Sequence, residues 1–467
     1  LMMEGHSGGI MQLDYHPDKN LVVSAGKDGE IKIWNTTQNE LKARIKKADY
    51  LDFNIQFTDD KTIIRKVGLD KFELYSFRDE SARPFNVSGA KDLKLSPDGL
   101  SIVFDKTTEL AVYKSHDLSL DYTIPTGSIR DFSFSPSGLM VLDALGKVTL
   151  YERNTKVMEI PANSPFDRIT GLSNGDFTLH ASSDSNLKSY QIKFYSMSVG
   201  SFTDLVGHTD HVTKVLEVND NLLTSSLDGS IRIWKKKANK FENAGTMVPL
   251  RQDNFVITTP DQLFDASTEA MQDMHYTRGN DIIALEQLKD SYYEPNLLPK
   301  LLGFEGGTLR KPLDISQLGI YPELQITHPN LNNGKLGIKI TNKGGGIGRV
   351  VLVINGKEVA SDVREIKDGN ASTMGIEYDI QSHPYMHADK VNKITIKAYN
   401  KDGTLGSEPH NILVLPSGTQ EVAAKPRIFA IVIGTSDYAS DDLDLTYAAK
   451  DAQDFAAALR VSSANLI

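Results

Sequence analysis

Several groups of residues in this 467-residue chain have types and spacings that could do chemistry. His208 with His211, and His383 with His387, could each offer two imidazoles to one metal ion if they shared a helical face. Pro384 breaks such a helix in the second pair. His211 stands at a strand start, where that spacing does not align two side chains, so neither pair is expected to hold metal. Asp441, Asp442 and Asp444 could attract a cation, but no turn glycine or distal glutamate of a calcium loop follows them, and a solvated acidic loop is expected. Gly344-Gly345-Gly346-Ile347-Gly348 has the glycine density of a nucleotide loop. Arg349 and Val351 stand where its third glycine could fall, and a strand follows in place of a helix. Gly434-Thr435-Ser436 could cradle a phosphate at a helix start, against the repulsion of Asp437, Asp441, Asp442 and Asp444. The chain has no cysteine, which excludes disulfides, thiolate metal sites and a cysteine nucleophile within it. No catalytic, cofactor-binding or metal-ligating residue is assigned, and no cofactor is expected.

Two further sets recur in the same order with nearly the same spacing: Gly5-His6, Ser24, Asp28-Gly29 and Trp34, then Gly207-His208, Thr224, Asp228-Gly229 and Trp234. The only two tryptophans of the chain fall at the same repeat position. Asp-Gly supplies the positive backbone angles that a two-residue hairpin turn requires. Both stretches resemble WD40 repeats, each of which is one four-stranded propeller blade. The resemblance implies a buried, hydrogen-bonded tetrad in each: His6, Ser24, Asp28 and Trp34 in one, His208, Thr224, Asp228 and Trp234 in the other. Such a tetrad is structural, since its His–Asp pair orients a turn and has no open substrate position.

Weaker copies lie between them. Residues 93–115 and 132–153 carry the turns Ser96-Pro97-Asp98-Gly99 and Ser135-Pro136-Ser137-Gly138 between alternating strands, and end in Val112-Tyr113 and Leu150-Tyr151 where a tryptophan would stand. Residues 51–77 and 169–194 complete six units. A seventh is placed at 241–285, with residues 1–4 pairing as the outer strand that closes its blade and removes two free edges. In that stretch Gln262 replaces the glycine of the "TPDG-FD" segment that follows the repeats in bacterial WD40 proteins carrying a peptidase domain. Leu285, Leu288 and Tyr292 then have helical spacing, stopped by Pro295 and Pro299. This reads as a linker helix packed on the propeller rim.

The alternation changes character at 321–416. Leu336-Ile338-Ile340, Val350-Leu352-Ile354, Ile376-Tyr378-Ile380 and Ile394-Ile396-Ala398 read as half-buried strands, with Asn355-Gly356 as a hairpin signal, in a sandwich of immunoglobulin-like pattern. Residues 417–427 read as an exposed linker. Residues 428–433 form a continuous apolar run that suits a strand buried on both faces. Leu445, Ala448, Ala452, Phe455 and Leu459 mark a helix over 445–460 covering one face. The other face and both edges need neighbours, expected either from further strands beyond Ile467 or from a second chain.

The segments FAIVIGTSDY and LDLTYAAKDAQDFAAAL, with Tyr447-Ala448 and Asp451-Ala452, resemble the opening of bacterial caspase-like peptidases of the C14 type. That resemblance implies a cysteine–histidine dyad on later loops, outside this chain, whose last histidine is His410. The expected fold class is therefore mainly β. A seven-bladed WD40-type β-propeller spans 1–285 and a linker with a helix spans 286–320. An immunoglobulin-like β-sandwich at 321–416, a linker at 417–427 and the first β-α unit of a caspase-like α/β domain at 428–467 complete it.

The composition, 40 % hydrophobic and 24 % charged, suits globular domains, and a formal net charge of -10 disfavours nucleic acid and anionic membrane surfaces as partners. The run Lys235-Lys236-Lys237, after Trp234 at a strand end, reads as a solvated turn. No apolar run reaches the length of a membrane span. The expected role is a scaffold or sensor that binds protein partners through the propeller face and positions a caspase-like peptidase. The alternative is a non-enzymatic structural subunit of a larger assembly, and the lack of cysteine suits an exported or a cytoplasmic protein alike.

Overall fold

The structure is a computed structural model that describes residues 6–16, 19–38, 40–46, 54–161, 165–182, 190–251, 254–279, 281–327, 334–415, 430–437 and 445–463. The closing strand expected at residues 1–4, the linker at 417–427 and Asp441, Asp442 and Asp444 lie outside them. The chain divides into two compact units, Leu1–Ile315 and Ser316–Ile467.

In the first unit six antiparallel sheets follow one another, the first five four-stranded with the strands in sequence order. Each sheet alternates apolar residues on two faces, and each adjoining pair of sheets closes over a shared core. Val23, Ile31 and Ile33 meet Ile55, Phe57 and Ile63 between the first and second sheets. Ile64 and Phe72 meet Leu93 and Phe104 at the next joint, and Val103 and Leu110 meet Phe132 and Val141 at the third. Met140 and Leu150 meet Ile169 and Phe177 at the fourth. Leu172, Ile192 and Leu205 meet Val212, Val215, Leu222 and Trp234 at the fifth.

The stretch read as a seventh blade forms no four-stranded sheet of its own among the described residues. Strand Lys240–Pro249, at 10 residues, outruns the fourth strands of the other sheets, and the other edge of its C-terminal end pairs with Phe255–Thr258, which pairs with Phe264–Ala266. The sixth sheet therefore has six strands. Helix α1 (Thr268–Asp273) and a separate hairpin, His275–Arg278 with Asp281–Ala284, follow it. Gln262 takes the left-handed conformation, φ 70°, and its side-chain oxygen accepts the Ile315 N–H at 2.8 Å.

Residues 286–315 belong to this unit. Helix α2 (Leu285–Tyr292) is followed after Pro295 by α3 (Leu297–Leu302), whose Leu297, Leu301 and Leu302 pack on Ile233 and Ile257 of the sixth sheet. The Tyr292 hydroxyl donates to Leu313 O at 2.7 Å, and burial pushes that hydroxyl up to about 12. Glu294 accepts Lys300 at 2.5 Å and Arg310 at 3.1 Å.

The second unit holds two antiparallel sheets, Glu323–Ile326, Lys335–Thr341 and Thr373–Asp379 in one, Lys357–Ala360, Val350–Ile354, Asn392–Ala398 and His410–Val414 in the other. They enclose one core of Leu336, Ile338, Ile340, Leu352, Ile354, Ile394 and Ile396. Asn355 and Gly356, at φ 52° and 80°, make the tight turn between Val350–Ile354 and Lys357–Ala360. Helix α4 (Ala448–Ser463) begins and ends three residues later than its apolar spacing suggests. Ser436 fixes its start, accepting the Leu445 N–H on its carbonyl and the Ala449 N–H on Oγ, both at 2.9 Å. Residues 430–437 pair with no strand among the described residues, and Ile431 and Ile433 are 90 % and 81 % exposed.

Candidate functional site

The first strands of successive sheets run side by side in the same direction, and polar side chains at matched positions tie each to the next. Gln12 brackets Ile55, accepting its N–H at 3.1 Å and donating to its carbonyl at 3.2 Å, while Asp14 accepts the Phe57 N–H at 2.8 Å. Gln56 does the same between Leu93 and Leu95, and Lys94 crosses to Asp131 at 2.6 Å. Asp131 accepts the Ile169 N–H and Ser133 the Gly171 N–H, at 3.0 and 2.9 Å. Glu217 closes the last joint, accepting the Ser173 N–H at 2.6 Å and its hydroxyl at 2.9 Å. Burial raises the carboxyls of Asp14 and Asp92, and Lys214 of the sixth sheet acts on Asp14 of the first in the opposite sense.

Because the first strands are parallel, the turns between second and third strands and the connections between sheets all emerge at one end. That end holds both tetrads. In the first, His6 Nδ1 meets Asp28 at 3.0 Å, His6 Nε2 meets Ser24 Oγ at 2.8 Å, and Trp34 Nε1–H donates to the same Oγ at 2.9 Å. In the second the corresponding distances, through Asp228 and Thr224, are 2.9, 2.8 and 2.9 Å. Asp28 also accepts the N–H groups of Ser7 and Glu30, and Asp228 those of Thr209 and Ser230. Burial pushes the Asp28 carboxyl up, but the His6 hydrogen bond and those N–H groups outweigh it and hold the group at about 2. Asp228 is held below the usual carboxylate range against the same desolvation, chiefly by Ser230, Thr209 and His208. Both ring nitrogens of each histidine and the indole N–H are committed to protein partners, so the tetrads present no free base or nucleophile to a ligand.

Where the tetrad is missing, the same pair of positions carries other contacts. Trp34 pairs across the ladder with the residue two before Ser24. By that register, on the face that meets the preceding sheet, Tyr75 and Arg65, Tyr113 and Phe104, Tyr151 and Val141, and Tyr195 and Leu179 stand in the four intervening sheets. Arg65 lies over the Tyr75 ring at 5.0 Å, and Phe104 meets Tyr113 edge to face at 5.4 Å. Arg65, Tyr75, Tyr195 and Leu179 escaped sequence reasoning, because only the ladder register equates them with Ser24 and Trp34. His180 is buried, its Nδ1 has no hydrogen-bond partner, and burial lowers it to about 4 against the pull of Asp131 and Asp167.

The same end of the array exposes Leu69, Leu145 and Leu227 on the turns between second and third strands and Val206 on the connection between the fifth and sixth sheets. The remaining candidates are held in structural contacts. His211 meets Asp210 at 3.1 Å and the Tyr190 ring edge to face, and His383 packs on Tyr385 at 4.9 Å. Among the described residues no group of three or more His, Asp and Glu could hold a metal ion. The glycine run packs backbone on backbone: a Cβ on Gly345 would fall 2.1 Å from Ile320 O, and one on Gly348 1.9 Å from Asn400 O. Gly434 approaches Ala448 and Ala452 of α4 in the same way. Lys235, Lys236 and Lys237 lie within strand Ile231–Lys237 and not in a turn, and Lys237 pairs with Glu242 at 2.5 Å.

Repeated four-stranded sheets, parallel first strands and His–Ser/Thr–Asp–Trp networks define a WD40-repeat protein, and the WD domain, G-beta repeat family matches residues 1–35 and 199–235. Among curated proteins the chain is similar to a guanine nucleotide-binding protein subunit beta of Oryza sativa subsp. japonica, 23 % identical over 272 residues. That match takes in 57 % of this chain and 65 % of the relative. The Zea mays subunit of the same name is 24 % identical over 274 residues, 57 % of this chain and 65 % of the relative. Ribosome biogenesis protein YTM1 of Scheffersomyces stipitis is 25 % identical over 245 residues, 51 % of this chain and 44 % of the relative. The chain thus spans less than two thirds of the length of these relatives. Among the described residues no helix is long and apolar enough to cross a membrane.

Proposed function

We infer that this chain is a protein-interaction scaffold whose WD40 array binds a protein partner and, in the whole protein, positions a C-terminal caspase-like cysteine peptidase. The observation that carries the scaffold reading is the contrast at one end of the array: the tetrads turn their polar atoms inward, while Leu69, Leu145, Val206 and Leu227 face solvent around them. Exposed aliphatic side chains on successive turns suit a protein surface better than a small polar substrate. The similarity to guanine nucleotide-binding protein beta subunits, whose name implies assembly with other subunits, points the same way.

The strand order supports an immunoglobulin-like reading of the second unit, since the first, second and fifth strands form one sheet and the remaining four the other. The peptidase reading rests on the 428–467 segment, where a helix covers one side of an apolar run and leaves Ile431, Ile433 and Phe455 in solvent. At roughly 25 cal/mol per Å² of apolar surface such exposure is costly enough to call for further strands. A purely structural subunit is the second reading, favoured by the absence of cysteine from the chain. Sequence downstream of Ile467 separates the two: a Gly-His pair followed by an Asp-x-Cys segment is expected of the peptidase, and its absence leaves the scaffold alone. The scaffold itself is tested by affinity capture from cells of the source organism. A partner retained by the chain and lost from the Leu145→Glu, Leu227→Glu double variant supports it, and one retained equally by both counts against that end as the binding face.

A further inference from the structure

The two sheets of the second unit turn outer faces of different chemistry to solvent. On the three-stranded sheet the cations meet carboxylates: Lys335 pairs across the ladder with Asp379, and its Nζ lies 3.8 Å from Glu377. On the four-stranded sheet Val351 pairs with Lys397, Val353 with Thr395 and Lys393 with Leu413, while Leu352, Ile354, Ile394 and Ile396 between them fill the core. The outer face of this second sheet is therefore basic and apolar. It is also open, since Leu413 is 68 % exposed, Lys393 and Arg349 are exposed, and Val351, Val353 and Lys397 are half-buried. Among the described residues Arg349, Lys393 and Lys397 form no ion pair, and Glu358, paired with Val353, is the carboxylate that the strands of this face carry. Arg349 and Lys397 converge instead on the Tyr399 ring, at 4.2 and 5.1 Å.

We propose that this face is a second interaction surface, distinct from the end that carries the tetrads, and that it takes an acidic, partly apolar segment of a partner protein. Carboxylates answer the three cations, of which Arg349 has the fork that can bind one carboxylate through two hydrogen bonds. Val351, Val353 and Leu413 between them supply apolar contact. The cation–π contacts with Tyr399 hold two of the cations in place before a partner arrives, which lowers the ordering cost of binding. The same contacts disfavour a nucleic acid, because a ring already covered by Arg349 and Lys397 is not free to stack on a base. A formal net charge of -10 opposes a phosphate backbone or an anionic lipid surface over longer range.

The probe is a fluorescein-labelled peptide of alternating glutamate and valine, read by anisotropy against the 467-residue chain. Lys393→Gln with Lys397→Gln should weaken binding about ten-fold. Lys335→Gln with Lys339→Gln removes the same charge from the other sheet and should leave binding unchanged, both chains melting like the parent. Should the first variant melt lower, Glu358→Gln carries the test: tighter binding supports the proposal, and unchanged or weaker binding overturns it. No binding by the parent chain, or equal weakening in the two double variants, overturns it as well. So does tighter binding of an oligothymidylate or of phosphatidylserine vesicles than of the peptide, or a self-association of the unlabelled chain that the first variant abolishes. The Leu145→Glu, Leu227→Glu variant should bind the peptide like the parent, which keeps this result separate from the one expected at the tetrad end.

Discussion

Trp234 donates its indole N–H to Thr224 Oγ1 at 2.9 Å, the same length as the bond from Trp34 to Ser24 Oγ, although the two pairs stand 200 residues apart. Each hydroxyl also meets a histidine Nε2, so one oxygen couples the third strand of a sheet to the loop before its first strand. Replacing Asp228 by Ala orphans His208 Nδ1 and the N–H groups of Thr209 and Ser230, and should cost about 1 to 3 kcal/mol. Because Asp228 is held below its ordinary value in the fold, this contribution is present at neutral pH and lost as pH falls below about 4. Denaturant melts of the variant at pH 7 check it, and an unchanged midpoint would contradict the network.

His180 gives a second pH dependence. Its folded value of about 4 lies below the ordinary 6.5, so between these values the unfolded chain binds the proton and the folded chain does not. Stability should therefore fall as pH drops from about 6.5 to about 4, by an amount on the order of 3 kcal/mol. The raised carboxyls of Asp14 and Asp92 act in the opposite sense, so the comparison is with His180→Gln, whose melting temperature should fall less over that interval.

Gly348→Ala should destabilise the second unit by on the order of 2 to 4 kcal/mol, since its Cβ would lie 1.9 Å from Asn400 O. Gly375→Ala is the control, with nothing within 4 Å of its Cβ, and should change little. Equal melts for the two variants would refute the close packing assigned to the glycine run.

The purified 467-residue chain should cleave no member of a peptide panel, because it contains no thiol to serve as nucleophile. Inhibitor-sensitive turnover by this chain would overturn that reading of its C-terminal segment.

Much of the array was legible in sequence because Asp-Gly turns and the two tryptophans mark register directly. The intervening sheets were legible as alternation but not in their contacts, since Arg65 over Tyr75 and Phe104 against Tyr113 replace a polar network with pairs that no short motif records. In the stretch expected as a seventh blade the strand signals at 254–266 are real, and the length of Lys240–Pro249 lets them extend an existing sheet. In the second unit Asn355-Gly356 and period-two alternation sufficed to place strands. The glycine run needed the structure, because backbone approach to Ile320 and Asn400 crosses long sequence separations.

The central claim, that the array is an interaction scaffold working through the end that carries the tetrads, is tested most directly by the capture measurement with the double variant. The account predicts one or more proteins retained in stoichiometric amount by the parent chain and lost from the Leu145→Glu, Leu227→Glu variant at an unchanged melting temperature. Equal retention by both chains, or no stoichiometric partner for either, would contradict it.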